Sequence, residues 1–465
     1  MHANRTEKDN LGPIDIPKDA AWGSQTQRAL ENFPITGVSI GHYPNLIVGL
    51  ASVKKACAQA NGDLGTVSLD KAKIIIEVCD DIIAGAHHDQ FVVDVMQGGA
   101  GTSTNMNANE VIANLGLKKL GAKYGDYHKL HPNDDVNRSQ STNDVYPTAI
   151  RIAVLARIPP LVDAMYALAG SFGQKACEFD HVMKVGRTQL QDAVPMSLGA
   201  EFRGFCTTVT EDVDRLSELS KLLTEVNLGG TAIGTRINSP EGFGEAAVKH
   251  LSKITGEPLA LAGDLIEASS DLGAFVMFSS TLKRVAIKLS KICNDLRLMS
   301  SGPRAGIGEI ILPPVQAGSS IMPGKVNPVI PEVVNQVCYQ AIGNDLTVTM
   351  AAEAGQFQLN AMEPVIIHKV LETMGSLTNV MNVLRIRCVD GIAADEKRCQ
   401  DLLDNSLVHV TGLAPLIGYD AAAKLAKHAL AHGVSLQSAA GSILTQDQAK
   451  VALNQFANLT EEASQ

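Results

Sequence analysis

A chain of 465 residues is too long for one core and predicts two or three domains. Its net charge of -10 and pI near 5.7 leave no basic field to neutralise phosphates, which excludes non-specific nucleic-acid binding and means that an acidic substrate must be met by local cations. Hydrophobic residues make up 45% of the chain but aromatic ones only 4%, a balance that suits helix interfaces better than sandwich interiors.

Taken in order, the chain opens with a polar stretch, 1–18, that lacks the apolar run of a signal peptide, and no later window is expected to reach membrane-spanning length. The region to about Asn143 reads as short helices mixed with loops. Ser68 stands before an apolar face formed by Ile74, Ile75, Val78, Ile82 and Ile83, and Gly85 stands where a C-terminal cap belongs, so a helix is predicted over 69–84. His87, His88 and Asp89 follow; adjacent histidines after a helix end are structural or solvent-facing more often than metal ligands. Val154, Ile158, Leu161, Met165, Leu168 and Phe172 recur every three or four residues, as do Leu282, Val285, Leu289, Ile292, Leu296 and Met299. Such seams predict long helices packed at shallow angles, with Pro159 and Pro160 kinking or interrupting the first. Stretches 333–352 and 365–384 read as further helices. In the last region Asp420 is placed to cap a helix that stops at Gly433, and Thr445 with Gln448 forms a capping-box pattern. Strand signals are scarce. Eight cysteines stand singly, without CxxC or clustered-histidine spacing, which disfavours zinc and disulfides and predicts a reduced, cytoplasmic protein. The pattern is that of an all-α protein with a central bundle, divided as 1–143, 144–394 and 395–465.

Chemistry concentrates in 318–328, Gly-Ser-Ser-Ile-Met-Pro-Gly-Lys-Val-Asn-Pro, where two glycines and two prolines break any helical period. Serine hydroxyls, amides freed by glycine, a lysine and an asparagine suit an anion that is held while a proton is removed. This loop resembles the signature loop of the fumarase/aspartase superfamily. Three further stretches resemble that family in its own order: 98–107, opening Gly-Gly-Ala-Gly-Thr; 137–144, Asn-Arg-Ser-Gln-Ser-Thr-Asn-Asp; and 186–195, opening Gly-Arg-Thr-Gln. The resemblance covers nearly the whole chain. It implies a three-domain subunit with a central long-helix bundle, a homotetramer whose active sites are shared between subunits, and reversible anti-elimination from a four-carbon dicarboxylate to give fumarate.

Residue by residue, the resemblance makes Ser319 the counterpart of the catalytic base and Lys325 and Asn327 the groups that hold the substrate α-carboxylate. Thr102, Ser141 and Thr142 correspond to donors around the other carboxylate, where an enediolate develops, and Asn143, Thr188 and Gln189 to residues near the leaving group. Alone, Thr102, Ser141, Thr142 and Asn143 would read as helix caps or turn residues; their company with the loop favours the functional reading. Arg28 resembles a family arginine associated with substrate carboxylates, and His131 resembles part of a second, non-catalytic anion site and stays outside the catalytic set. The motifs call for no cofactor and no metal ligand set, and activation by a divalent cation is left open. The expected partner is a small dicarboxylate, with no nucleic acid and no membrane.

At the position where fumarases show Thr-His, this chain has Thr188-Gln189. An ammonium group leaves as neutral ammonia without help, whereas hydroxide must be protonated as it departs, and glutamine supplies no proton. The segments 97–103, 189–195 and 331–337 also look like the aspartase branch, so deamination of L-aspartate is the expected reaction. A fumarate hydratase acting on malate is the alternative, suggested by Gly324 and the run 131–135; a structural relative without catalysis is a third, opposed by the intact Ser319, Lys325 and Asn327. One departure stands out: the family's Gly-Thr-Gly here reads Gly234-Thr235-Arg236, which either strains the backbone or adds a charge near the site.

Overall fold

The structure, a computed structural model, describes residues 4–318 and 321–462. Sixteen α-helices account for most of them. The first half of the chain holds α1 (Ser24–Asn32), α2 (Pro44–Asp63), α3 (Leu69–Ile83), α4 (Thr102–Lys119), α5 (Thr142–Leu155), α6 (Ile158–Glu178) and α7 (Leu198–Ser220). The second holds α8 (Phe243–Thr255), α9 (Gly273–Met299), α10 (Val329–Glu353), α11 (Glu363–Arg387), α12 (Glu396–Asp404), α13 (Val410–Ile417), α14 (Tyr419–His432), α15 (Leu436–Ile443) and α16 (Gln446–Glu462). Four two-stranded sheets join them: β1 (Asn4–Asp9) with β2 (Gly12–Pro17), β3 (Met183–Thr188) with β4 (Gln191–Ser197), β5 (Glu225–Val226) with β6 (Ala260–Leu261), and β7 (Ile310–Ile311) with β8 (Ala393–Ala394). The predicted seams are buried throughout, from Val154 to Phe172 and from Leu282 to Met299. Pro159 and Pro160 fall in the first turn of α6, where the missing N–H groups have no helical partner to lose, so they start a new helix.

Contacts group the chain into two compact units. The first comprises Met1–Val162, Asp214–Arg284 and Tyr339–Leu377. Within it α2 is the hub, packed on α3, α5 and α8. A β-carbon at Gly49 would lie 2.6 Å from the Ala149 carbonyl oxygen, so glycine is what lets α2 and α5 approach. The N-terminus of α1 is capped from α4, where Glu110 accepts the amides of Gly23 at 2.8 Å, Gln25 at 2.8 Å and Thr26 at 3.1 Å. The second unit comprises Asp163–Val213, Val285–Cys338 and Thr378–Gln465. Phe172 of α6 and Phe179 just after it pack with Phe202 and Phe205 of α7, Val185 of β3 packs with Leu403 and Val408, and a separate cluster around Leu413, Leu425 and Ala440 holds the last helices together.

Four expectations are corrected. The polar opening is a hairpin, β1–β2, whose alternating exposure carried too few apolar residues to register as strands. The first region holds long helices, α2 and α4, rather than short ones; α4 is rich in asparagine yet almost wholly buried. Helix α14 begins at Tyr419 after Gly418, so Asp420 lies inside its first turn, favourable there through the helix dipole, while Gly433 at φ 62° ends it as predicted. The stretch Thr142–Glu178 is long and apolar enough to cross a membrane by length and composition. It is two helices, α5 and α6, and 56% of its apolar window is buried in the protein, the pattern of a core segment.

Candidate active site

The named residues divide between the two units. Arg28, Thr102, Ser141, Thr142 and Asn143 lie in the first; Thr188, Gln189, Lys325 and Asn327 lie in the second, and Ser319 lies outside the described residues.

In the first unit two helix N-termini meet. Gly99, Ala100 and Gly101 all have positive φ (88°, 55° and 87°), a turn that delivers Thr102 as the first residue of α4. A β-carbon on Gly101 would strike the Tyr146 ring of α5 at 2.5 Å, so this turn is seated directly on α5. Thr102 Oγ1 donates to the Gly99 carbonyl at 2.7 Å, and Gln97 Oε1 accepts from the Thr104 amide at 3.0 Å, closing the cap. Ser141 caps α5: its Oγ accepts from the Asn143 amide at 3.2 Å, and its own amide donates to Asp144 Oδ1 at 3.0 Å, a capping box. The two ends are tied side by side by Asn105 Nδ2, which donates to Thr142 Oγ1 at 3.0 Å. Asn143 reaches outward, its Nδ2 donating to the Ala232 carbonyl at 2.8 Å. Both macrodipoles therefore present their positive ends at the Thr102/Ser141/Thr142 cluster, which is an anion-binding arrangement.

Beneath it lie two buried charges: Lys54, which lies outside every motif, and Asp144, which closes the 137–144 motif without having been given a role. Lys54 of α2 is fully buried, and its Nζ donates to Asn137 Oδ1 at 2.8 Å and Gln140 Oε1 at 3.0 Å, in the same segment as Ser141. Burial lowers its ammonium to about 8. Asp144 is also fully buried; its Oδ2 accepts from Gly229 N at 3.0 Å and Thr231 N at 2.9 Å, pinning α5 to the 227–231 turn. Burial pushes its carboxyl up to about 6, against the pull of these amides and of Lys54. A signal for Lys54 was present: it stands three and four residues from Cys57 and Leu50, on a face that is otherwise apolar.

Arg28 is already engaged. Its Nε and Nη2 fork onto Asp9 at 2.7 and 2.9 Å, and Nη2 also donates to the Gly12 carbonyl at 3.0 Å, at the tip of β1–β2. The pair lines a cavity of about 300 Å³ whose wall also includes Phe33 and Ser103, next to Thr102. His131 Nδ1 accepts the amides of Asn133 and Asp134 at 3.1 Å each and so serves as a cap. His88 Nε2 meets the Ile82 carbonyl at 2.8 Å. Arg236 has φ 59°, so it occupies the left-handed conformation that glycine favours, and its guanidinium pairs with Glu245 of α8 at 2.8 Å. Strain and a locally neutralised charge are thus both present.

In the second unit Thr188 ends β3, and Gln189 and Leu190 form the two-residue turn into β4 with φ of 53° and 62°. That is the turn geometry for which Asn-Gly is the usual sequence, and two ordinary side chains there cost on the order of 1 kcal/mol each. Directly below, Arg187 Nη1 donates to the fully buried Glu309 Oε1 at 2.7 Å, and Lys184 Nζ lies 3.0 Å from the other oxygen, an ion-pair contact without well-aligned hydrogen-bond geometry. Lys184 also bonds Glu201 of α7. Burial alone would lower the Lys184 ammonium, but the two carboxylates overcome it and hold the proton more tightly than usual. The 318–327 loop is drawn shut at its neck: Asn327 Nδ2 donates to the Gly318 carbonyl at 2.6 Å, and a β-carbon on Gly318 would overlap the Lys325 carbonyl oxygen at 1.7 Å. Gly324 turns at φ 82° and the Lys325 side chain is exposed.

Comparison with known proteins follows the same lines. Residues 12–343 match the family described as Lyase, and 410–457 match the one described as Fumarase C C-terminus. The chain is 58% identical over 430 residues to a protein of Pseudomonas fluorescens named aspartate ammonia-lyase, covering 92% of this chain and 90% of that one. Among solved structures, a fumarate lyase:delta crystallin from Brucella melitensis bound to cobalt superposes with a TM-score of 0.94 at 56% identity, covering 97% of this chain and 98% of that one. A class II fumarase from Schistosoma mansoni superposes with a TM-score of 0.90 at 34% identity, covering 94% and 95%.

Proposed function

Because this chain belongs to the lyase family of fumarases and aspartases, we propose that its reaction is that of an aspartate ammonia-lyase, the reversible deamination of L-aspartate to fumarate and ammonia. The observation that carries this reading is the identity of 58% to an aspartate ammonia-lyase over nine-tenths of both chains, against 34% to a class II fumarase. Gln189 in place of a proton donor fits the same choice, since ammonia departs neutral.

In the mechanism we propose, Ser319 Oγ, activated within its loop, takes the proton from the carbon bearing no nitrogen. The electron pair left behind spreads onto the adjacent carboxylate as an enediolate and then forms the double bond as the C–N bond breaks on the opposite face. Nitrogen leaves as ammonia with both bonding electrons. Ser141 and Thr142 donate to the enediolate oxygens, joined by Thr102 once its hydroxyl turns from the Gly99 carbonyl, and they are supported by the N-terminal ends of α4 and α5 and, from below, by the positive charge of Lys54. Lys325 and Asn327 hold the α-carboxylate, Asn143, Thr188 and Gln189 flank the nitrogen, and Arg28 contributes at the carboxylate side if it exchanges Asp9 for substrate. A hydrogen-bonded enediolate of this kind needs no cofactor.

The subunit is proposed to form a homotetramer in which each active site draws these stretches from different chains, and its eight free cysteines suit the reducing cytoplasm. Two experiments test the reading. Fumarate absorbance is followed with L-aspartate and L-malate in parallel, and turnover of malate alone overturns the assignment. Ser319→Ala and Thr188→Ala subunits, each poorly active, are dissociated, mixed and reassembled; recovery of part of the activity is expected, and none in verified mixed tetramers refutes the shared site.

A further inference from the structure

The groups around Glu309 form a neutral set of four charges, two buried and two half-buried: Lys184 and Arg187 from β3, Glu201 from α7, and Glu309 just ahead of β7. Glu309 is fully buried and Lys184 nearly so. Taking four charges out of water gives little net stability, because desolvation consumes most of the mutual attraction. What such a set does provide is a fixed geometry, since each charge has one place where it is compensated.

The placement is specific. Arg187 immediately precedes Thr188, at a register shift between Gly186 and Arg187, so its side chain is the last anchor before the strained Gln189–Leu190 tip. Glu309 leads through Ile310 and Ile311 of β7 to the 318–327 loop nine residues on. Its backbone carbonyl accepts from the Asp395 amide at 3.0 Å, and Arg398 of α12 fixes the preceding turn by donating to the Gly306 and Ile307 carbonyls at 2.8 and 2.9 Å. Left-handed dihedrals at two side-chain-bearing residues persist only where surrounding contacts over-determine them.

We propose that Glu309 is a positioning residue: its carboxylate, gripping Arg187 and Lys184, is the buried joint that holds the Thr188–Gln189 tip in place. The proposal rests on the assignment of Thr188 and Gln189 to the leaving-group side of an ammonia-lyase. It acts on one side of the substrate only, which separates it from a general structural role. A displaced tip mishandles the nitrogen and leaves the carboxylate contacts in place, and small misplacements of positioned groups reach about a hundredfold in rate.

The test uses the full-length oligomeric protein. Glu309→Gln keeps the shape and removes the charge; Arg187→Lys keeps the charge and removes the planar guanidinium whose Nη1 reaches both Glu309 and the Val185 carbonyl. Both are assayed in the direction of amination, with KM measured separately for ammonia and for fumarate. The expected result is a KM for ammonia raised about tenfold or more in Glu309→Gln, less in Arg187→Lys, with the KM for fumarate within about twofold of the parent. Val185→Ala, which loosens the core under the same hairpin without touching the charges, is expected to lower Tm and leave the KM for ammonia unchanged. Parallel changes in both KM values, no change in folded Glu309→Gln or Arg187→Lys, or an equal ammonia effect in Val185→Ala overturns the proposal. If both charge variants fail to fold while Val185→Ala folds, the set is a stability element and the proposal is likewise overturned. Parent protein with no turnover of aspartate would instead refute the assigned reaction.

Discussion

Asp144→Asn isolates the electrostatics under the proposed carboxylate site. Asp144 is fully buried, and its carboxyl is raised from the ordinary 3.8 to about 6, with burial the leading cause. The folded chain then holds this proton more tightly than the unfolded chain does, so across that window the folded state binds more protons and unfolding free energy falls as pH rises. At about 1.4 kcal/mol per pH unit the ceiling is roughly 3 kcal/mol, and about half of it falls between pH 5 and 7. Asparagine carries no such dependence. It also offers one acceptor oxygen where Asp144 presents two to Ser141, Gly229 and Thr231, so at least one amide is orphaned at a cost of about 1–3 kcal/mol. The stability advantage of the parent over Asp144→Asn is therefore expected to shrink by roughly 1–2 kcal/mol from pH 5 to pH 7, read from urea midpoints at fixed protein concentration. Titrations not coupled to Asp144 cancel in the difference, and Lys54, the charge that is coupled to it, titrates at about 8, above this window. A gap that stays constant or widens with pH refutes the reasoning: it would mean that the three amides and Lys54 outweigh burial and hold the carboxyl below 3.8.

Three further outcomes follow from single residues. Ser319→Ala is expected to fold and to lose about a hundredfold in turnover, and near-normal turnover removes Ser319 from the mechanism. Gly101→Ala adds a β-carbon 2.5 Å from the Tyr146 ring at a φ of 87°, so a loss of about 2 kcal/mol or more, seen as a lower Tm, should accompany loss of activity as Thr102 shifts. Arg236→Gly relieves a left-handed side chain and gives up an exposed pair with Glu245, so stability should change by less than about 1 kcal/mol, upward if strain dominates, and a larger fall would show that the pair matters more than the dihedral.

What could be read from the sequence was what is contiguous or periodic. The four motifs were visible because each is a short contiguous run, and the buried seams from Val154 to Phe172 and from Leu282 to Met299 were visible because one period repeats over several turns. The hairpins escaped because β1 is wholly polar, β2 carries only Ile14 and Ile16 between prolines, and β3–β4 closes on Gln-Leu, a pair that gives no turn signal. Helix α4 escaped because its buried asparagines serve distant partners: Asn107 receives the Val92 amide, and Asn114 bonds the Ala21 carbonyl and Tyr127. Local propensity counts against asparagine in a helix, and only the assembled fold supplies what those side chains bond.

The same distinction explains which site residues were missed. Ser141 and Thr142 are legible because they stand in a contiguous run that opens α5, where Ser141 is the cap, a local act. Lys54 acts across 83 residues on Asn137, and Arg187 acts across 122 on Glu309, so neither pairing leaves a trace in its own neighbourhood beyond a charge where an apolar residue belongs. That trace has physical content. A lysine on the buried face of α2 and a glutamate between Gly308 and Ile310 each carry a desolvation cost that an apolar residue would avoid, so each must be compensated by a partner elsewhere. In this chain Asn137 and Gln140, the partners of Lys54, lie in the 137–144 motif, and Arg187, one of the two partners of Glu309, lies in the 186–195 motif. A charge set in an apolar stretch thus points to the loops whose geometry it holds.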